Sequence, residues 1–238
     1  MVQQLNTCPF YLVFDVSWSM ETVMPALNDC LRILKNEICA DPLLADVARV
    51  SLITFSEKAT VKIPMTNLAY DNTIGAADFL SCENGTSFEA AFTALKNQIE
   101  ADIRAIKAEK PNDSVQRPLV FFVTDGDPLS DSETAWRAAF DALTSAPIYP
   151  NIVPLGFGDV LEENLASIVW PKKRSETFYF IAKNGVGTPE AMKAIGQVVA
   201  QSVVSTGSSV RDGAPEVIIE DAGTQGALKK GFVADTVA

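Results

Sequence analysis

The 238-residue chain has no histidine. That absence removes a Ser-His-Asp or Cys-His nucleophile pair, a His-based zinc site and a histidine general base in one step. Cysteine is sparse: Cys8, Cys30, Cys39 and Cys82 form no C-x-x-C pair, and Cys30 and Cys39 fall on one predicted helix. The four read as reduced thiols, in the core or at the surface, rather than as a zinc site or a disulfide framework. Nowhere do 18 apolar residues run together, so no membrane-spanning helix is expected. The stretch from Met1 to Pro9 has neither a basic n-region nor an apolar h-region, which gives the expectation of a cytoplasmic protein. Basic residues are in deficit, 19 Lys and Arg against 30 Asp and Glu, for a formal net charge of −11. Such a field repels nucleic-acid phosphates and anionic membrane surfaces, and it mildly favours cations.

What is present is an ordinary globular composition, 47% hydrophobic and 21% charged, on a length that suits one large α/β domain. The apolar run from Phe10 to Phe14 predicts a buried strand. Met24, Leu27, Leu31, Leu34 and Ile38 then recur at steps of three and four, predicting a helix with Pro25 in its first turn and an end near Asp41-Pro42. The β-rich runs Val50 to Phe55 and Ala59 to Ile63 are separated only by Ser56-Glu57-Lys58, which allows a hairpin and makes one strand antiparallel. Residues 66 to 85 are polar and irregular, with a short helix expected around Ile74 to Phe79. Thr86 with Glu89 is a capping-box pattern that predicts a helix start at Thr86, followed by the apolar stripe Phe88, Phe92, Leu95, Ile99, Ile103 and Ile106.

Leu119 to Val123 is a continuous apolar run suited to a central parallel strand. Beyond it, Trp136, Phe140 and Leu143 predict a helix, Asn151 to Phe157 a strand, and Leu161, Leu165 and Ile168 a helix. Thr177 to Ile181 predicts a strand, and Met192, Ile195, Val199 and Val203 a last helix. Strands alternating with helices predict a doubly wound, three-layer α/β/α sandwich with a mostly parallel sheet. The domain is expected to span 1–206. The remainder, 207–238, reads either as a flexible tail or as a segment docked back through Val217-Ile218-Ile219 and Phe232-Val233.

The chemistry concentrates where apolar runs stop. Asp15, Ser17 and Ser19 follow the first strand, and Asp125 follows Leu119 to Thr124. Carboxylate and hydroxyl oxygens are hard donors of the kind that hold Mg²⁺ or Ca²⁺. The same residues also suit capping of the helix that begins near Pro25. In an open doubly wound sheet, ligands sit beyond the carboxyl ends of the strands where strand order reverses. Neighbouring strands there would bring Asp15, Ser17, Ser19 and Asp125 into one crevice, with Thr86 reaching it from the next loop. Asp127, just before Pro128, reads as the start of a turn and is left out of the set.

The order Asp15-x-Ser17-x-Ser19, then Asn84-Gly85-Thr86-Ser87, then Thr124-Asp125-Gly126 resembles the metal-ion-dependent adhesion site of von Willebrand factor A domains. The resemblance covers roughly residues 8 to 205. The runs Phe-Tyr-Leu-Val-Phe-Asp, Ser-Leu-Ile-Thr-Phe-Ser, Gly-Thr-Ser-Phe and Arg-Pro-Leu-Val-Phe-Phe-Val-Thr-Asp-Gly most resemble the bacterial cytoplasmic branch associated with tellurite-resistance and stress operons (TerY-like). The resemblance implies a six-stranded sheet with one antiparallel edge strand. It also implies a metal, Mg²⁺ or else Mn²⁺ or Ca²⁺, held through Ser17, Ser19 and Thr86, with Asp15 and Asp125 acting directly or through water. Trp18 stands where the wider family often has glycine, and Asn84 where this branch often has a second glycine.

Three neutral hydroxyls and two carboxylates leave much of a divalent ion's charge unneutralised, so the expected partner is a protein supplying Glu or Asp to the metal. Trp18 reads either as a partner-binding rim residue or as core packing against the first helix. A Mg²⁺-dependent phosphatase using Asp125 or Asp127 is the rival expectation, and a metal-free scaffold a third. A further expectation is that Glu220 or Asp221 in the tail occupies the site in cis.

Overall fold

The computed structural model describes residues 6–74, 79–172, 178–221 and 226–232. Its first strand, β1 (Asn6–Asp15), is buried at every position after Asn6. β1 pairs in parallel with β2 (Ala48–Phe55) on one side and with β5 (Leu119–Thr124) on the other, so that Val13 lies between Ile53 and Phe122. Side chains alternate across a strand, and β1 therefore feeds two cores. Phe10, Leu12 and Phe14 join one apolar cluster with residues of α1 (Met24–Ala40) and α6 (Thr188–Arg211). Tyr11 and Val13 join the other, with α3 (Phe88–Glu109) and α4 (Glu133–Thr144). Three layers result, two helical and one of sheet.

Among the described residues the sheet runs β3–β2–β1–β5–β6–β7–β8, with the two-residue β4 (Ser114–Val115) also paired to β1. β3 (Ala59–Thr66) is the antiparallel edge expected from the hairpin. β6 (Asn151–Gly156) and β7 (Phe178–Ala182) continue the parallel set, and Thr177, the expected first residue of β7, lies outside the described residues. Beyond these six strands, β8 (Leu228–Phe232) adds an antiparallel strand from the segment whose docking the sequence left open. Val233 of that segment lies outside the described residues, as does most of the short helix expected at 74–79. Lys62 and Pro64 in β3 and Lys229 and Lys230 in β8 discourage pairing of either edge with another chain. No described helix is long and apolar enough to cross a membrane. All four cysteines are free thiols.

Helix boundaries depart from expectation in several places. Asp41-Pro42 ends α1 and also starts a short helix, α2 (Pro42–Val47), because the Asp41 carboxylate accepts from the amides of Leu43 and Leu44 and Pro42 fits a first helical turn. α3 begins at Phe88, two residues after the start at Thr86 that the capping box predicts. Its cap is Ser87, whose hydroxyl accepts from the Ala90 amide at 3.0 Å, while Asp131 takes the Glu89 amide at 2.8 Å. Leu161 caps the short helix α5 (Glu162–Ser167) from outside, and it is exposed rather than part of the buried stripe.

α3 is anchored at its first residue. Phe88 packs edge-on against Phe122 of β5 at 5.1 Å and against Phe55 of β2 at 6.0 Å, while Phe55 and Phe122 stack at 5.0 Å. Full burial of one such ring contributes about 1.5–3 kcal/mol. The contact fixes the loop before α3 over the ends of β2 and β5.

α6 runs past the boundary expected at residue 206, and the chain then doubles back along it. The Ser209 hydroxyl donates to the Glu216 carbonyl at 2.8 Å and accepts from its amide at 3.2 Å. Thr206 does the same with Ile218, at 3.0 and 2.9 Å, and the Ser202 hydroxyl accepts from the Glu220 amide at 2.9 Å. Alternate residues of the strap are thus held by hydroxyls three and four apart on the helix. Thr206 is 1% exposed, so removing its hydroxyl leaves the half-buried Ile218 amide and carbonyl without these partners. Thr206→Val is expected to lower stability by about 1–2 kcal/mol in urea unfolding, with faster hydrogen exchange at the Ile218 amide. Unchanged exchange there would contradict the ladder.

Candidate metal centre

Strand order reverses between β1 and β5, which places a crevice at their carboxyl ends. Asp15, the last residue of β1, is fully buried. Its Oδ1 accepts from the Ser17 amide at 2.8 Å and its Oδ2 from the Thr124 hydroxyl of β5 at 2.7 Å. The Ser19 hydroxyl donates to Asp125 Oδ1 at 2.8 Å, and the hydroxyls of Ser17 and Ser19 lie 3.0 Å apart. A hydroxyl has one proton, so with Ser19 donating to Asp125, the Ser17 hydroxyl has its proton for Ser19 or for Asp15. Asp15, Ser17, Ser19 and Asp125 therefore form one run of oxygens across the switch point.

Capping does not account for these residues. Ser17 precedes a short 3-10 turn (Trp18–Val23) but its side chain makes no cap hydrogen bond, and the residue before α1 is Val23. Thr86 enters from the third loop. Glu83 donates its amide to the Val16 carbonyl at 2.7 Å, Asn84 accepts from the Glu57 amide at 2.9 Å, and Thr86 accepts from the Ser130 amide at 3.1 Å. The loop is thereby stitched to those after β1, β2 and β5. Because Ser87 and Asp131 cap α3, the buried Thr86 hydroxyl is relieved of the capping role the sequence assigned to it. The hydrogen-bonded run itself joins the other four residues.

Two glycines hold the walls. Gly85 has φ +79°, and a Cβ there would come within 2.3 Å of Glu57 Cγ and 2.9 Å of Ser130 Oγ. Gly158 has φ +66°, and its Cβ would press on the Asp125 carbonyl at 2.9 Å.

The electrostatics are one-sided. Burial raises the Asp15 carboxyl to about 6, against the lowering effect of hydrogen bonds from Ser17 and Thr124, and the Asp125 charge raises it further. Burial likewise raises Asp125, and the exposed Asp159 adds to the effect. The groups acting on both are hydroxyls, amides and carboxylates, with no cationic side chain among the described residues. Cys82, raised by burial and then by Glu21, Asp125 and Asp15, faces the same charges. Among the described residues no three Cys, Asp or Glu side chains converge as a metal-ligating group, so a cation here would draw on the hydroxyls as well.

Sequence reading missed Thr124, although its place immediately before Asp125 was a signal, and missed Asp131 and Asp159, which only the fold brings near. Trp18 is 62% exposed and is not core packing. Asp127 does not start the following helix: its Oδ1 accepts from the Leu161 amide at 3.1 Å and from Asn164 Nδ2 at 2.8 Å, and so holds the loop after β6. The tail carboxylates are engaged elsewhere, Glu220 with Ser205 at 2.7 Å and Asp221 with Lys230 at 3.1 Å, which overturns occupation of the site in cis.

A raised carboxyl has a defined consequence for stability. Between the ordinary value of 3.8 and about 6, folded Asp15 keeps a proton that the unfolded chain has released. Stability of the metal-free protein is then expected to fall as pH rises through that window, by up to about 3 kcal/mol from this group. Asp15→Asn keeps the shape and should flatten the slope in urea unfolding with chelator present; equal slopes in both proteins would contradict the assignment.

No family model matches the sequence, and no curated protein matches it. Solved structures do. The von Willebrand factor type A protein from Catenulispora acidiphila superposes with a TM-score of 0.52 at 14% identity, over 84% of this chain and 43% of that one. The pilus adhesin SpaC from Lactobacillus rhamnosus GG gives 0.63 at 14% identity, over 85% of this chain and 30% of that one. The PilB minor pilin from Streptococcus sanguinis gives 0.54 at 13%, over 86% and 62%. The chain thus spans less than two thirds of each of these proteins. Likeness at such identity is likeness of fold, and the fold of this chain is that of the von Willebrand factor A domain.

Proposed function

We propose that the chain is a divalent-metal-dependent protein-binding module. Ser17, Ser19 and Thr86 would hold the ion through hydroxyls, with Asp15 and Asp125 as its anionic support. The observation that carries the reading is the run of oxygens from Asp15 to Asp125, in which two buried carboxylates have no cation beside them among the described residues. Buried charge is stable only when paired, and a hard divalent cation fits an all-oxygen donor set of this kind. Mg²⁺ suits it, with Mn²⁺ or Ca²⁺ as substitutes. Bound there, the ion would supply an electrophilic point for a Glu or Asp of a partner protein.

What supports binding over catalysis is the make-up of the crevice. A phosphoryl-transfer site needs positive groups around the transferring oxygens. Here the surrounding charges are Glu21 and Asp159, and the Asp127 carboxylate is held by the loop after β6. The sequence runs that resemble the tellurite-resistance and stress-operon branch support a place for the module in a bacterial stress assembly, in the cytoplasm.

Mg²⁺ titrated into metal-stripped protein should give saturable one-site heat that Asp15→Ala abolishes while circular dichroism stays unchanged. Free Mg²⁺ at about 100 times its Kd should stabilise the wild type by about 2.7 kcal/mol. No heat together with no thermal stabilisation would refute the proposal.

A further inference from the structure

Three large apolar side chains stand in water around the crevice: Trp18 is 62% exposed, Leu129 84% and Leu161 57%. They belong to the loops after β1, β5 and β6, which are consecutive strands of the sheet. Each is presented by backbone that the crevice itself fixes. Trp18 lies between Ser17 and Ser19, whose hydroxyls bond to one another. Leu129 precedes Ser130, whose amide donates to the Thr86 carbonyl at 3.1 Å. The Leu161 amide donates to Asp127 Oδ1 at 3.1 Å. Backbone held this way loses little further freedom on contact, and burying apolar surface of that size is favourable. The same loops carry the exposed carboxylates of Glu21, after β1, and Asp159, after β6, on a chain of formal net charge −11.

We infer that Trp18, Leu129 and Leu161 form an apolar collar that selects the partner at the metal centre; the inference rests on the metal-binding reading above. The occupant is a protein segment whose metal-seeking Asp or Glu is flanked by aliphatic or aromatic residues and accompanied by Lys or Arg. The flanking apolar residues cover the collar, and the cations meet Glu21 and Asp159. Charge complementarity sets the choice of occupant. A second copy of this chain would bring its own acidic rim against this one.

The test uses the full chain with Mg²⁺ and three fluorescein-labelled peptides with a central Asp. One has leucines beside the Asp and lysines outside them; the second has serines in place of the leucines; the third has glutamates in place of the lysines. Fluorescence anisotropy should show Mg²⁺-dependent binding of the first about tenfold tighter than of the second. Binding of the third should be weaker still, with the gap closing at high salt. Leu129→Ser with Leu161→Ser should remove most of the leucine preference, and Trp18→Ala should do so separately, while the Mg²⁺ isotherm of the Leu129→Ser/Leu161→Ser protein stays that of the wild type. Metal-dependent binding indifferent to the flanking residues would overturn the collar and leave the metal reading standing. Mg²⁺ binding with no peptide bound would also overturn it, as would Mg²⁺-driven dimerisation in sedimentation that the collar variants abolish. Failure of Mg²⁺ itself to bind would end both readings.

Discussion

A carboxylate with no exposed surface, at the end of the central strand, is the constraint on which the rest of the molecule depends. Asp15 is held by the Ser17 amide on one oxygen and the Thr124 hydroxyl on the other. Hydrogen bonds to a charged group contribute about 1.5–3 kcal/mol each, whereas desolvating the charge costs several kcal/mol. The balance leaves its proton affinity raised. The Thr124 bond ties β1 to β5 across the switch point, while the Ser17 bond turns the following loop back over the strand end.

The fold delivers the remaining donors by packing of remote parts. Phe88, wedged between Phe55 and Phe122, sets where α3 begins. Asp131 and Ser87 then satisfy the helix start, which leaves Thr86 turned over to the loop junction. Gly85 and Gly158 both hold positive φ, and at Gly158 a Cβ would also press on the Asp125 carbonyl. At the far end of the layer, the strap zipped to α6 by Ser202, Thr206 and Ser209 fixes a helix that packs on α1 and on the turn carrying Ser19.

Much of this was legible in the sequence, for a physical reason. Long apolar strands buried on both faces end abruptly in polar loops, so Asp15 and Asp125 are marked by where hydrophobicity stops. The helix stripes, the hairpin and the three-layer architecture follow from periodicity in the same way. Part of what escaped depends on partners distant in sequence, and part on local side-chain geometry. The choice of Ser87 over Thr86 as cap is made by Asp131, more than forty positions away. Asp41 ending one helix while starting the next turns on its own side-chain geometry. β8 carries Lys-Lys-Gly at its centre and has no apolar pattern to announce it. The strap is held by hydroxyls on a helix face that reads as merely polar.

Anomalous diffraction from crystals grown with Mn²⁺ tests the central claim most directly. The account predicts an ordered ion in the crevice, with oxygens of Ser17, Ser19 and Thr86 among its ligands and the Ser19 to Asp125 hydrogen bond rearranged to admit it. Mn²⁺ ordered only elsewhere on the molecule, with the Asp15 to Asp125 run unchanged, would contradict it.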